Sequence, residues 1–206
     1  MAIVVERNVE RITTSENLLE TVEICGKTCY KSDPSDAESF IKRIIRLGHE
    51  SVLEHGVITY RIICDRSTSH QIVRHRMFSY SQESQRYCRY DKEKFGNQIA
   101  YIVPADIPEN FEKVLHNCVE ASESHYFNLL ELGIKAETAR AVLPNCTKTE
   151  LMMTGNMRAW RNFLKTRLDK HAQSDIIDIA RMIVKDMDSC DLSVFIEDLG
   201  EENEDS

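Results

Sequence analysis

Most of the chain carries clear apolar periodicity, broken by one long polar stretch that has almost none. Ala2 to Val5 is a short apolar run and reads as a strand. Thr13-x-x-Glu16 reads as a capping box, in which a hydroxyl and a carboxylate satisfy the first free N–H groups of a helix. Leu18, Leu19, Val22 and Cys25 follow at helical spacing, and Gly26 is expected to end that helix. Ser32, Asp33, Pro34 and Ser35 form a turn, and Ser35-x-x-Glu38 is a second capping box. Phe40, Ile41, Ile44, Ile45 and Leu47 then give a strong apolar stripe, stopped by Gly48. Val57 to Cys64 is β-branched and aromatic, and predicts a strand.

A helix is expected from Arg66 to about Arg76, an extended segment from Ser79 to Tyr90, and a short strand from Ile99 to Val103, closed by Pro104. Pro108 to Leu132 reads as a long helix with Phe111, Val114, Leu115, Cys118, Val119, Phe127, Leu129 and Leu130 on or near its inner face. His116 and His125 on it read as surface or satisfied core histidines. Glu137 to Leu143 is a short helix ended by Pro144, and Glu150 to Thr154 a strand. Asn156 to Arg167 is a helix on which Arg158 and Asn162, four apart, share a face. Ser174 to Met187 is an amphipathic helix. No repeat or linker divides the chain. The expected class is α/β (mixed α+β): one domain over residues 1–199, a central sheet flanked by helices, then an acidic tail, 200–206, expected to be disordered.

The polar stretch is Arg74 to Tyr87, RHRMFSYSQESQRY. Its guanidinium forks match phosphate and carboxylate oxygens, and its Ser and Gln side chains add neutral hydrogen bonds. The alternative is a solvated basic face, but the flanking strand and the apolar Ile72 and Val73 set these arginines against a folded scaffold. The net charge of −8 places this basic island in an acidic background, much of it contributed by Asp191, Glu197, Asp198, Glu201, Glu202, Glu204 and Asp205. That balance argues against a nucleic-acid polymer as partner and fits a small anionic ligand held at a few points.

Other chemistries find little support. The seven cysteines are odd in number and lack a CxxC pair, which reads as reduced, buried thiols in a cytoplasmic protein. His49-Glu50-Ser51-Val52-Leu53-Glu54-His55 could supply metal ligands, but it lacks the HExxH order and a second cluster, so no metal is expected; a binding loop is preferred. No apolar run approaches the roughly 20 residues of a membrane span, and the N-terminus lacks the order of a signal peptide. GxGxxG, GxxxxGK[ST] and GxSxG are all absent. What remains is a set of charged donors suited to binding a nucleotide and stabilising developing negative charge, with the hard chemistry left to a cofactor.

RHRMFSYSQESQRY resembles the signature of the flavin-dependent thymidylate synthases, RHRxxSxxxxSxRY, with Arg74, His75, Arg76, Ser79, Ser84, Arg86 and Tyr87 in register. GHESVLEH (48–55), AETARAVLP (136–144) and the block from Asn156 to Arg167 followed by His171-Ala172-Gln173 are similar to three further segments of that family, in the same order. The signature departs at Ser81-Gln82, where many members carry Asn-Glu.

The resemblance implies a mixed α/β homotetramer with sites shared between subunits. It implies reductive methylation of dUMP to dTMP, with methylenetetrahydrofolate as carbon donor, FAD as the hydride-carrying cofactor and NADPH as its reductant. Carried over position by position, it assigns His49, Ser51, Arg74, His75, Arg76, Gln82, Asn156, Met157, Arg158 and Asn162 to the cofactor. It assigns Gln71, Arg74, Gln82, Ser84, Gln85, Arg86, Arg140 and Arg167 to dUMP, with Arg167 as the catalytic group. Taken without the resemblance, Arg167 would read as a helix-end arginine facing the C-terminal dipole. The competing readings are a catalytically impaired FAD- and nucleotide-binding protein of the same fold, and a single-stranded nucleic-acid binder that the acidic balance disfavours.

Overall fold

A computed structural model of the chain describes residues 1–30 and 36–199. The expected turn at Ser32 to Ser35, the Ser35 cap and the acidic tail lie outside the described residues. The class is mixed α/β, as expected. The elements run β1 (Ile3–Val4), β2 (Asn8–Thr14), α1 (Leu18–Tyr30), α2 (Ala37–Arg46), β3 (Val57–Asp65), α3 (Arg66–Ile72), β4 (Ser79–Gln82), β5 (Ala100–Tyr101), α4 (Glu109–Glu131), α5 (Ala136–Ala139), β6 (Lys148–Asn156), α6 (Met157–Arg167) and α7 (Ser174–Asp188). Single 3₁₀ turns cover Glu50–His55 and Arg140–Val142. Instead of one central sheet there are two among the described residues: a four-stranded sheet in the order β2-β3-β6-β4, and a parallel pair of β1 and β5 that sets Ile3 against Ala100.

Two compact units are present, the first made of residues 1–8, 62–74 and 81–151, the second of 9–61, 75–80 and 152–206. The first has a core of Ala2, Tyr90, Ile99, Tyr101, Val119, Tyr126 and Leu130. The buried face of α4 is Val119, Glu123, Tyr126 and Leu130, whereas Phe111, Val114 and Cys118 of the expected inner face are exposed. The apolar pattern misleads because two buried positions are polar-tipped: the Glu123 carboxylate accepts from the Ile99 N–H at 2.7 Å, and Tyr126 buries its ring. His116 is half-buried beside the Tyr101 hydroxyl at 2.9 Å, and His125 is exposed, as expected.

The second unit includes residues 57–61 of β3 and 152–156 of β6. Every second side chain of both strands is buried, the period-two signature of a sheet with one covered face. Trp160 of α6 lies edge-on to Tyr60 at 5.1 Å and donates from its indole to the Ile58 carbonyl. Tyr60 donates to Asp186 of α7 at 2.7 Å.

Several boundaries differ from expectation for identifiable reasons. Thr13 lies in β2, a strand the periodicity did not reveal, and so caps nothing. α2 is capped by Asp36, which accepts from the Ser39 N–H, and α3 by Asp65, which accepts from Thr68. α3 ends at Ile72, so His75 is not on the helix that carries Gln71. After Gln82 the expected extended segment becomes turns. The thiols, none of them paired among the described cysteines, are mostly not buried: Cys64 is, while Cys118 is exposed.

Gly26 does not stop α1 but sits inside it, because α2 crosses there: a Cβ would approach Phe40 Cε1 to 2.6 Å. Phe40 is itself buried, so it has little room to move. Gly26→Ala is therefore expected to destabilise by about 1–3 kcal/mol, against its helix-propensity gain. Urea unfolding measures this, and adding Phe40→Leu is expected to recover part of the loss.

Candidate functional site

Asn156 marks the passage from β6 to α6. Its Oδ1 accepts from the Ala159 N–H at 2.9 Å, which starts the helix at that point. The start fixes the phase of α6: Trp160, Phe163 and Leu164 turn into the core, while Arg158 and Asn162 face out. The outward face lines a cavity of about 610 Å³, with Asn156, Arg158, Asn162 and Lys165 on one wall and Ile45 and Met77 also contributing. Met157 instead packs in the core with no exposed side chain, and its N–H goes to the Gly56 carbonyl.

The carboxylates of the GHESVLEH stretch explain themselves against this helix. Glu54 pairs with Arg158 at 2.7 Å, and Glu50 accepts from Arg161 at 3.2 and 3.3 Å. Among the described residues no three His, Cys, Asp or Glu side chains gather into a metal-holding group. His49 and Ser51 are exposed at the same 3₁₀ turn.

The signature places one histidine inside and its flanking arginines outside. Arg74 and Arg76 are exposed, and His75 is buried. The His75 ring stands edge-on to Phe163 at 4.8 Å, and its carbonyl accepts from the Tyr80 hydroxyl at 2.8 Å. Its Nε2 accepts from Nε of Arg167, the last residue of α6, at 2.9 Å. Burial first, and the Arg167 charge second, lower its pKa to about 4. The ring is thus neutral at physiological pH and acts as an acceptor that orients a cation. Phe78 fills the space beside Gly155, where any Cβ would collide with its ring, and lies edge-on to Trp160 at 4.7 Å.

Of the residues expected at the nucleotide, Gln71, Arg74, Gln82, Ser84, Gln85, Arg86 and Arg140 belong to the first unit and Arg167 to the second. Gln82 donates to Ser69 Oγ at 2.9 Å and to Thr149 Oγ1 at 3.2 Å. Next to it, Glu83 accepts from Tyr90 at 3.0 Å and Lys148 at 2.9 Å, which pins the start of the Ser84 to Arg86 turn. Ser84 accepts from the Arg86 N–H at 3.3 Å, Gln85 is buried, and Gln71 is half-buried near the end of α3. Arg86 and Arg140 meet at one residue: Glu137 pairs with Arg86 at 2.8 Å through its carboxylate and accepts from Arg140 at 3.2 Å through its carbonyl.

Sequence reasoning passed over Arg161, Lys165, Asp198 and Glu137. The first two were recoverable from spacing, since 158, 161, 162 and 165 lie along one side of a helix. Asp198 gives no signal of that kind.

A family model described as "Thymidylate synthase complementing protein" matches residues 11–190. The chain is 37% identical to a flavin-dependent thymidylate synthase of Mycobacterium avium (strain 104), over 77% of this chain and 71% of that protein. It is 32% identical to a flavin-dependent thymidylate synthase of Pyrococcus furiosus, over 88% of this chain and 75% of that one. The chain belongs to the flavin-dependent thymidylate synthase family. In this member of the family, the signature histidine and the last arginine of α6 are in direct contact.

That contact has a pH signature. The folded pKa of His75, about 4, lies below the ordinary 6.5 of an unfolded chain. Between those values the unfolded chain binds the extra proton, so stability falls as pH drops through the window, at up to about 1.4 kcal/mol per pH unit. Unfolding free energies measured from pH 7 to pH 4 are expected to show this slope, and His75→Asn is expected to lack that component of it.

Proposed function

We infer that this chain is a flavin-dependent thymidylate synthase that converts dUMP to dTMP by reductive methylation. We assign methylenetetrahydrofolate as the carbon donor, FAD as the bound flavin and NADPH as its reductant. The observation that carries the reading is the 2.9 Å contact between His75 of the signature and Arg167 of the last block, two segments 92 positions apart. A scaffold that only needed a basic surface would have no use for a buried neutral histidine behind an arginine.

The cavity along α6 suits a phosphorylated, ring-bearing cofactor. Its 610 Å³ falls in the usual range of such sites, with Arg158 and Lys165 offering cationic donors, Asn162 an amide, and Ile45 and Met77 apolar contact. His49, Ser51, Arg74, His75, Arg76, Gln82, Asn156, Met157, Arg158 and Asn162 would hold the flavin, which supplies a hydride when bound and reduced.

Gln71, Arg74, Gln82, Ser84, Gln85, Arg86, Arg140 and Arg167 would hold dUMP. Arg86 and Arg140 suit its phosphate, which would replace the exposed Glu137 carboxylate on Arg86 at little cost. Arg167 stays protonated and so cannot act as a base. Held by the neutral His75, its guanidinium stabilises negative charge on the uracil ring and raises electron density at C5, the atom that attacks the carbon donor. Homotetrameric assembly accords with the exposed Phe111, Val114 and Leu132 in and just after α4. A cytoplasmic location accords with the absence, among the described residues, of a helix long and apolar enough to cross a membrane. The catalytically impaired alternative is not favoured, since the signature positions and Arg167 are all present.

The visible spectrum of the purified protein under NADPH without oxygen tests the assignment: a bound flavin is expected to bleach, then recover only when dUMP and methylenetetrahydrofolate are both added. A flavin that stays bleached with both present refutes turnover. Arg167→Ala is expected to keep the flavin and lose dTMP formation by about 10²–10³-fold, the usual effect of removing one charge-stabilising donor.

A further inference from the structure

The family match ends at residue 190, yet residues beyond it help to build the cavity. After α7 the chain reverses at Asp191, which takes a left-handed φ of 58°, and runs back through two 3₁₀ turns, Ser193–Phe195 and Glu197–Leu199. Leu192, Val194, Phe195, Ile196 and Leu199 are buried along this segment. Lys42 of α2 pairs with Glu197 at 3.0 Å on its outer side.

The inner side is fixed by Arg161. Its side chain is only 6% exposed, and it donates to the Phe195 carbonyl and to both Asp198 oxygens, at 2.7 and 2.8 Å. Bidentate geometry sets the orientation of the carboxylate as well as its position. Glu50 supplies the second carboxylate. As a result Asp198 and Leu199 stand in the cavity wall beside Arg158, Asn162 and Lys165.

We propose that the segment Leu192–Leu199 is a wall of the flavin site in this chain: Leu199 contacts the bound cofactor, and Asp198 is a positioning residue that holds the wall through Arg161. The proposal rests on the flavin reading above and adds to it a part of the chain that the family match does not include. Fixing Leu199 before the cofactor arrives lowers the ordering cost of binding.

The test uses the full-length chain, stripped of flavin and titrated with FAD by flavin fluorescence, with thermal unfolding recorded in parallel. Leu199→Trp fills cavity space without touching the Arg161 to Asp198 pair. It is expected to raise the FAD Kd about tenfold or more, equivalent to about 1.4 kcal/mol, at a temperature where thermal unfolding shows the flavin-free variant to be fully folded. Asp198→Ala is expected to weaken FAD and also lower the melting temperature, and Asp198→Asn, which keeps one acceptor for Arg161, to recover part of the FAD affinity. If Leu199→Trp takes up FAD as tightly as the unaltered chain, or the Asp198 variants change melting alone, the segment is only a structural strap and the proposal is overturned. Failure of the unaltered chain itself to take up FAD would overturn the flavin reading and the proposal with it.

Discussion

A guanidinium can be buried at Arg161 only because acceptors from two distant parts of the chain surround it: Glu50 from one, the Phe195 carbonyl and Asp198 from the other. Taking such a charge out of water costs several kcal/mol, which is recovered only when every acceptor is in place. Loss of one acceptor would leave the cation partly unmatched, so the three segments hold one another. α6 is thereby fixed against the turn that carries Glu50, and its exposed face acquires a defined wall. The Glu50 and Glu54 carboxylates thus pair with arginines of α6, which gives both acidic residues of that loop a role in holding the helix.

The same helix joins structure to chemistry at its other end. Asn156 fixes where α6 begins, and the 11 residues of helix that follow fix where Arg167 emerges. His75 meets it from the signature as a neutral ring, because burial beside Phe163 disfavours the protonated form and the neighbouring guanidinium disfavours it further. Two cations in contact would repel; a neutral imidazole and a cation hydrogen-bond. Burial of His75 is therefore what allows an arginine to be aimed and not merely placed.

The sequence was most legible where one physical pattern dominated. The β-branched run of β3, the stripe of α2 and the helix of α6 all follow from local composition or periodicity. It was least legible where distant residues decided the outcome. Gly26 carries the local sign of a helix end, but a crossing helix uses its missing side chain for packing. On α4 the burial of Glu123 depends on an N–H donor 24 positions away, which apolar periodicity cannot register. Among the site residues, the four motif blocks pointed to the face of α6 and to the Arg86 and Arg140 pair. Asp198 escaped because its function is to meet Arg161 across 37 positions.

The departure at Gln82 can be argued from its partners. The Ser69 hydroxyl hydrogen is directed to the Arg66 carbonyl at 2.8 Å, so its oxygen faces Gln82 as an acceptor. Thr149 offers its oxygen in the same direction, already accepting from Arg66 at 3.3 Å, and both hydroxyl residues are buried. An amide nitrogen suits two acceptors; a carboxylate in the same place would face them as a third. A Glu at 82 would meet the Ser69 oxygen without a donor for as long as that hydroxyl is directed to the Arg66 carbonyl. The neutral side chain is consistent with the local hydrogen-bond pattern of this chain, and the carboxyamide oxygen remains the polar atom of Gln82 not committed by these two bonds. An acceptor at that position suits an N–H of a pyrimidine ring as well as a carboxylate would, so the loss of charge at 82 does not by itself remove a role in reading the base.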